Sequence, residues 1–360
     1  MLALWLALAA VGGVPSTHAG KLTRVWELDL RNAVRVRDGL PDFPVFALRF
    51  SPDGRRLAVI ADIRGTREAK KSRLLVIDLD HPEANAPQFE VEFGILDSGV
   101  LNFGWSPSCG IIYHAGEVIH LATGAACELP NLSVFVTDSV AIHVLGQLNP
   151  VPLTPITFYS QGCDERARWE VPQSWLVWDV STDRHLISVQ REISAGTGDW
   201  LIVDPLERKV LRRWPENAGG AWKFADSGRV ICQGGNPLNS RRAPAVCASA
   251  DTGKEVGRTS RNGNEPIAAA ARAARIVVSD YRRKRVPFDH EYGTTFKGRY
   301  VWDFGTGREL ASWYPEFQTY PDTWAPAKRV TEQSRFAISP DGEFVAEGGN
   351  GVVRLYKIEP

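Results

Sequence analysis

Phe50-Ser51-Pro52-Asp53-Gly54-Arg55-Arg56-Leu57-Ala58-Val59 and Ile338-Ser339-Pro340-Asp341-Gly342-Glu343-Phe344-Val345-Ala346 are near copies at opposite ends of the chain. Each reads as an apolar strand, a Ser-Pro-Asp-Gly turn and a second apolar strand. Proline presets φ early in the turn, aspartate caps it with its side chain, and glycine takes positive φ. Weaker copies stand at Trp105-Ser106-Pro107-Ser108-Cys109-Gly110 and Phe224-Ala225-Asp226-Ser227-Gly228. A hairpin that recurs along a chain marks a repeat architecture.

A second unit is an apolar strand, an Asp-x-x-Thr-Gly turn and another strand. Its clearest copies are Val301-Trp302-Asp303-Phe304-Gly305-Thr306-Gly307 and Val177-Trp178-Asp179-Val180-Ser181-Thr182-Asp183. Equivalent positions are read at 78, 120, 179, 204, 249, 303 and 357. The intervals between them are 42, 59, 25, 45, 54 and 54 residues, against ~40–45 for a four-stranded propeller blade. The two around 179 are uneven, but together they span two blades. Seven blades are expected, with six as the alternative.

These turns resemble the WD40-like (TolB-type) β-propeller repeats of bacterial proteins. The resemblance covers roughly residues 40 to 360 and implies an all-β, single-domain propeller over 20–360. The Gly-His element of eukaryotic WD40 repeats is absent, so their Asp-His-Ser/Thr-Trp hydrogen-bond set is not carried over. Trp178, Trp302 and Asp303 are read as packing and turn residues. The last blade runs out at Pro360 after three strands. Arg24-Val25-Trp26-Glu27-Leu28-Asp29-Leu30 alternates apolar and charged residues and is expected to supply the fourth, closing the ring.

Composition agrees with many short strands. The chain has 32 glycines, 23 prolines, 12 tryptophans and one methionine in 360 residues. Apolar content of 44% is enough for a core and argues against disorder. Lys+Arg and Asp+Glu are 42 each, which excludes a generally basic nucleic-acid binder.

Residues 1–14, MLALWLALAAVGGV, are apolar and uncharged. They are too short to span a bilayer, which needs ~20 residues. With Thr17-His18-Ala19 behind them they read as an export signal over 1–19, although no Lys or Arg precedes them. A periplasmic or secreted, monomeric mature chain without a membrane span is expected. Export permits disulfides among Cys109, Cys127, Cys163, Cys232 and Cys247. Cys232 and Cys247 fall on neighbouring antiparallel strands and are the favoured pair. Cys109 with Cys127 is less favoured, and Cys163 is left in a long loop. No metal-ligand spacing and no cofactor motif is present.

In a blade whose strands run a to d outward, a–b and c–d turns share one face. The b–c loops and blade-to-blade connections share the other. Long b–c loops are expected at 63–73, 149–174, 235–244 and 281–299. Long loops on a rigid scaffold are where binding concentrates. The first holds Arg64, Arg67, Lys70, Lys71 and Arg73. The last holds Tyr281, Arg282, Arg283, Lys284, Arg285, Tyr292 and Phe296, with Lys297 and Arg299. Together these two carry eleven basic and three acidic residues. An acidic segment at 80–97 opposes them on the same face. The expected function is a non-catalytic extracytoplasmic propeller that binds a protein or acidic glycan through these loops. One alternative is a hydrolase, lactonase-like, with its site at the central channel. Another is a cytoplasmic interaction scaffold, if residues 1–19 are not a working signal. The dispersed histidines pair with no nucleophile, and no Gly-x-Ser-x-Gly elbow occurs.

Overall fold

In a computed structural model, the Ser-Pro-Asp-Gly turns are held by their serines. Ser51 is fully buried; its Oγ donates to Asp53 Oδ1 at 2.5 Å and accepts the Arg56 N–H at 2.9 Å. Asp53 Oδ1 also accepts the Arg55 N–H, and Gly54 sits at φ 79°. Ser339, Asp341 and Gly342 repeat the arrangement, with Ser339 Oγ accepting Phe344 N–H at 2.9 Å and Gly342 at φ 74°. Each turn therefore satisfies its own backbone while a serine hydroxyl is sealed beneath it.

The structure describes residues 21–29, 45–64, 70–81, 89–94, 103–114, 116–130, 133–144, 153–172, 174–181, 183–194, 197–214, 222–234, 244–262, 264–285, 292–314, 335–349 and 352–359. The expected export signal at 1–19 lies outside them. Strand β1 (Leu22–Asp29) comes first. Blade 1 is β2 (Val45–Phe50), β3 (Arg56–Arg64), β4 (Lys70–Asp78) and β5 (Phe89–Gly94). Blade 2 is β6 (Phe103–Trp105), β7 (Ile111–His114), β8 (Glu117–His120) and β9 (Ala126–Glu128). Blade 3 is β10 (Ser133–Phe135), β11 (Val140–Val144), β12 (Leu153–Ser160) and β13 (Glu165–Pro172). Blade 4 is β14 (Ser174–Ser181), β15 (Leu186–Ser194), β16 (Thr197–Asp204) and β17 (Lys209–Trp214). Blade 5 is β18 (Trp222–Ala225), β19 (Val230–Gln233), β20 (Pro244–Ser249) and β21 (Glu255–Asn262). Blade 6 is β22 (Asn264–Ala269), β23 (Arg275–Arg285), β24 (Tyr292–Asp303) and β25 (Arg308–Trp313). Blade 7 is β26 (Arg335–Ile338), β27 (Phe344–Gly349) and β28 (Val352–Ile358), completed by β1. The chain is a seven-bladed, all-β propeller; the described residues contain no helix, hence none long and apolar enough to cross a membrane.

Two readings of the repeat are corrected. Asp179 is on the inner strand β14 and does not end a third strand. Blade 3 ends its third strand at Ser160, which makes the spacing from Asp78 through His120, Ser160, Asp204 and Ser249 nearly even. Segment 149–174 is no loop; it contains β12 and β13. Its prolines mimic a loop, but Pro155 is accommodated within β12, opposite Glu170.

Apolar faces of neighbouring blades pack together around the ring. The tryptophans do much of this between blades 4 and 5. Trp178, Trp200, Trp222 and Trp214 form a chain of rings with centroids 4.9–5.7 Å apart. Such aromatic pairs add about 0.5–1.5 kcal/mol beyond burial.

Blade 7 carries the closure. β1 runs antiparallel to β28 from Leu22 opposite Ile358 to Asp29 opposite Val352. Phe336, Glu347, Arg354 and Glu27 lie in one row across its four strands. Arg354 Nε donates to Glu27 Oε2 at 2.8 Å, and Arg24 donates to the same oxygen at 2.9 Å. The hydrogen bond from Arg354 holds the Glu27 carboxyl below its ordinary value. At the inner end, Arg299 of β24 reaches from blade 6 to pair with Glu347, and its guanidinium lies 4.1 Å from the Phe336 ring centre. Both charged side chains are fully buried. Burial lowers Arg299 to about 10 and raises Glu347, with each partner opposing the shift of the other.

Removing one member strands a buried charge, at a cost of about 3–5 kcal/mol. Arg299→Met and Glu347→Leu are each expected to lower unfolding free energy by about that amount in urea titrations. The double variant is expected to regain most of it, because apolar replacement of both partners is close to neutral.

Candidate binding face

The antiparallel order of each blade places b–c connections on one face, here the loop face, and a–b and c–d turns on the other, the turn face. The loop face is uneven. β27 and β28 of blade 7 are joined by two residues, as are β7 with β8 and β15 with β16. Blade 6 departs most: β23 has 11 residues and β24 has 12.

Among the described residues, most of that extra length has no third strand beside it. β22 pairs with β23 only as far as Ser279, and β25 pairs with β24 only from Arg299 onward. Among the described residues, Tyr281–Arg285 and the facing residues Tyr292–Phe296 therefore pair only with each other, as a two-stranded arm. Its base is a bulge where Asp280 opposes Gly298 and Tyr281 opposes Phe296. Bulges bend and twist a strand pair, which re-aims the residues beyond them. Gly298 has φ 122°, and a Cβ there would lie 2.6 Å from the Trp313 carbonyl oxygen, so the bend requires glycine.

The expected 281–299 loop is thus mainly paired strand. Arg282, Arg283 and Lys284 oppose Thr295, Thr294 and Gly293, and Arg285 opposes Tyr292. Arg299 leaves the candidate set, because it is the buried partner of Glu347. In blade 1 the expected 63–73 loop is again largely strand: Arg64 opposes Lys70, Ile63 opposes Lys71, and Ala61 opposes Arg73. Arg67 lies outside the described residues. Of the acidic segment at 80–97, Glu90 and Glu92 belong to β5, where Glu92 opposes Arg73. Most of 235–244 also lies outside the described residues. Blades 1 and 6 are the two neighbours of blade 7. The two basic hairpins therefore flank the blade whose own hairpin is short.

The central channel opens on the turn face as a cavity of about 210 Å³. Inner strands line it with Leu48, Phe50, Ile267, Phe336 and Ile338. Its one lining carboxylate among the described residues is Asp179, which accepts the Phe224 N–H at 2.8 Å and lies 3.6 Å from Lys223 Nζ. A hydrolytic or metal site needs several converging acidic, Asn or His groups. This lining offers one carboxylate, already engaged in tying blade 4 to blade 5.

The cysteines brace the ring. Cys232 and Cys247 are directly opposed on β19 and β20 and are bonded, with Cα atoms 4.0 Å apart. Cys127 of β9 is bonded to Cys163, for which the sequence suggests no partner, and this bond crosses from blade 2 to blade 3. Cys109 remains a buried thiol, so the Cys109–Cys127 alternative does not occur. Cys163 sits in the tight turn between β12 and β13 and not in the long loop expected for it.

No protein-family model matches the chain, and no curated protein matches it in sequence. Solved structures do match in shape. A chain of a mitotic checkpoint complex is similar with a TM-score of 0.53 and 12% identity, covering 100% of this chain and 99% of that one. A chain of Kuenenia stuttgartiensis hydrazine synthase has a TM-score of 0.54 and 11% identity, covering 91% and 99%. An oligogalacturonate lyase in complex with manganese has a TM-score of 0.52 and 13% identity, covering 95% and 98%. At these identities the likeness is one of fold alone.

Proposed function

We propose that this chain is an extracytoplasmic binding propeller that engages an acidic protein or glycan surface on its loop face. The observation that carries the reading is the free arm of blade 6, with Arg282, Arg283, Lys284 and Arg285 in succession along β23. A paired ribbon loses less conformational freedom on binding than a slack loop, so its charges are cheaper to order. Arg64, Lys70, Lys71 and Arg73 on the far side of blade 7 give a second basic wall. An acidic partner seated between the walls would meet cations from both sides, which speeds encounter and sets orientation.

Export is supported by the apolar residues 1–14 with Thr17-His18-Ala19 behind them, and by four of five cysteines being paired. Disulfides persist outside reducing compartments.

Replacing 281–297 with a Gly-Ser linker is expected to abolish recovery of the partner from the native extracytoplasmic fraction, while the melting midpoint stays near that of the parent. Recovery by the parent should fall as salt rises, since exposed charges are screened beyond ~8 Å at 0.15 M. Equal recovery by the linker variant would remove the arm from the reading. N-terminal sequencing of the native protein is expected to begin at Gly20. Reduction of the Cys232–Cys247 bond, with its sequence separation of 15, should cost about 3 kcal/mol of stability. A native chain that begins at Met1 and is recovered from the cytosol would overturn the export reading.

A further inference from the structure

On the turn face, opposite the arms, blades 3 and 4 part to leave a cleft of about 650 Å³. Val140, Phe158, Tyr159, Arg166, Leu206 and Arg208 line it. We propose that this cleft is a second docking site, taking an extended peptide that carries a carboxylate beside an apolar side chain. The volume lies within the ~300–1,000 Å³ usual for ligand sites.

Both walls are held in place. The β12–β13 turn is anchored to blade 2 by the Cys127–Cys163 bond and by His120 Nε2 donating to the Gln161 carbonyl at 3.0 Å. Across the cleft, the β16–β17 turn is closed by Asp204 Oδ1, which accepts the Glu207 N–H at 2.9 Å. That turn breaks the repeat. The matching c–d turns in blades 2, 5 and 6 put Gly124, Gly253 and Gly307 in the left-handed region, at φ 68°, 71° and 70°. Blade 4 puts Arg208 there, at φ 52°. A left-handed arginine is disfavoured where glycine is free to adopt the conformation. Here it sets the guanidinium 5.7 Å from the Phe158 ring centre, at the cleft.

Charge selects the ligand. Arg166 has Asp164 at 3.7 Å, whereas Arg208 has no carboxylate partner among the described residues. An unbalanced guanidinium over an apolar floor favours a carboxylate, which it can hold by charge-assisted hydrogen bonds. Leu206, 41% exposed, offers an aliphatic contact beside it. A sugar ring would need an open aromatic face for stacking. Of the two lining rings, Phe158 is only 8% exposed and already faces Arg208, and Tyr159 is half-buried, whereas the most exposed apolar group is the aliphatic Leu206, so the lining favours a peptide's apolar side chain over a sugar ring.

The test is fluorescence anisotropy on the full chain. The probes are labelled hexapeptides with Leu or Phe next to Asp or Glu, and the same peptides with Asn or Gln. At least one acidic peptide is expected to bind with a Kd of about 10–100 μM. Its amide counterpart should bind roughly tenfold more weakly. Arg208→Gly restores the residue of the sister turns, so it should unfold at no lower temperature while losing roughly tenfold in affinity. The proposal is overturned if no acidic peptide binds, if acid and amide peptides bind alike, or if Arg208→Gly binds like the parent. It is also overturned if only an oligouronate binds and Arg208→Gly abolishes that.

Discussion

Everything in this propeller depends on one strand pairing, β1 on β28. A ring of blades has no intrinsic end, but a chain has two. The pairing brings Leu22 beside Ile358 and so turns a row of seven sheets into a closed ring. Without β1, the outer edge of β28 would be left as unpaired N–H and C=O groups, an invitation to edge-to-edge association. β1 becomes the outer strand in its place. Thr23, Arg24, Val25 and Glu27 are exposed, while Trp26 and Leu28 are buried toward blade 1. Polar and charged side chains dominate that exposed set, a common defence of an edge strand. The charged row Glu27–Arg354–Glu347–Arg299 then runs from this outer strand to blade 6, so closure and blade docking share residues. Contacts of such long sequence separation form late and slowly, because the loop-closure entropy precedes the gain.

The legible part of the fold was its turn chemistry. Ser-Pro-Asp-Gly and Thr-Gly turns announce themselves because their φ values demand particular residues. The closing strand was legible for a similar reason, since one buried face imposes period-two alternation. What misled was chemistry that serves a neighbour. Asp179 looks like Asp303 in sequence, yet Asp303 Oδ1 accepts Thr306 N–H within its own turn, whereas Asp179 bonds Phe224 of the next blade. Prolines hid β12 for want of any sign that its register could hold them. Cys163 found its partner across a blade boundary, which spacing alone does not reveal. Arg299 reads as one more cation in a basic run, and only burial opposite Glu347 distinguishes it.

The candidate sites were legible in unequal measure. Basic residues on long hairpins could be counted from sequence, because hairpin length and charge are both local properties. Their placement on either side of blade 7 follows from ring closure and was not spelled out by either hairpin. The cleft between blades 3 and 4 left a fainter trace. Its signal is a missing glycine: Glu207-Arg208 stands where sister turns have Thr-Gly.

That substitution belongs to a pattern. Among the described residues, six non-glycine residues hold positive φ: Cys109, Cys163, His185, Arg208, Asp226 and Ser227. Each lies in a turn, and each turn reaches a neighbouring blade. Cys109 meets Asp53 of blade 1, and Cys163 is bonded to Cys127 of blade 2. His185 Nδ1 donates to the Val136 carbonyl of blade 3 at 2.9 Å, and Arg208 covers Phe158 of the same blade. Asp226 and Ser227 donate their backbone N–H groups to carbonyls at Ala273 and Ala271, ahead of β23 in blade 6. A left-handed residue with a side chain costs about 1–2 kcal/mol. Hydrophobic packing between blades is non-directional and tolerates slippage. Directional contacts from the turns fix each blade's rotation against the next, and the disfavoured backbone offsets itself wherever it supplies one. Glycine stays at Gly228 and Gly342, where a Cβ would collide with Ser181 and Arg275 of a neighbouring blade, and at Gly124 and Gly307, where the turn's own φ asks for it and a Cβ would meet nothing within 4 Å.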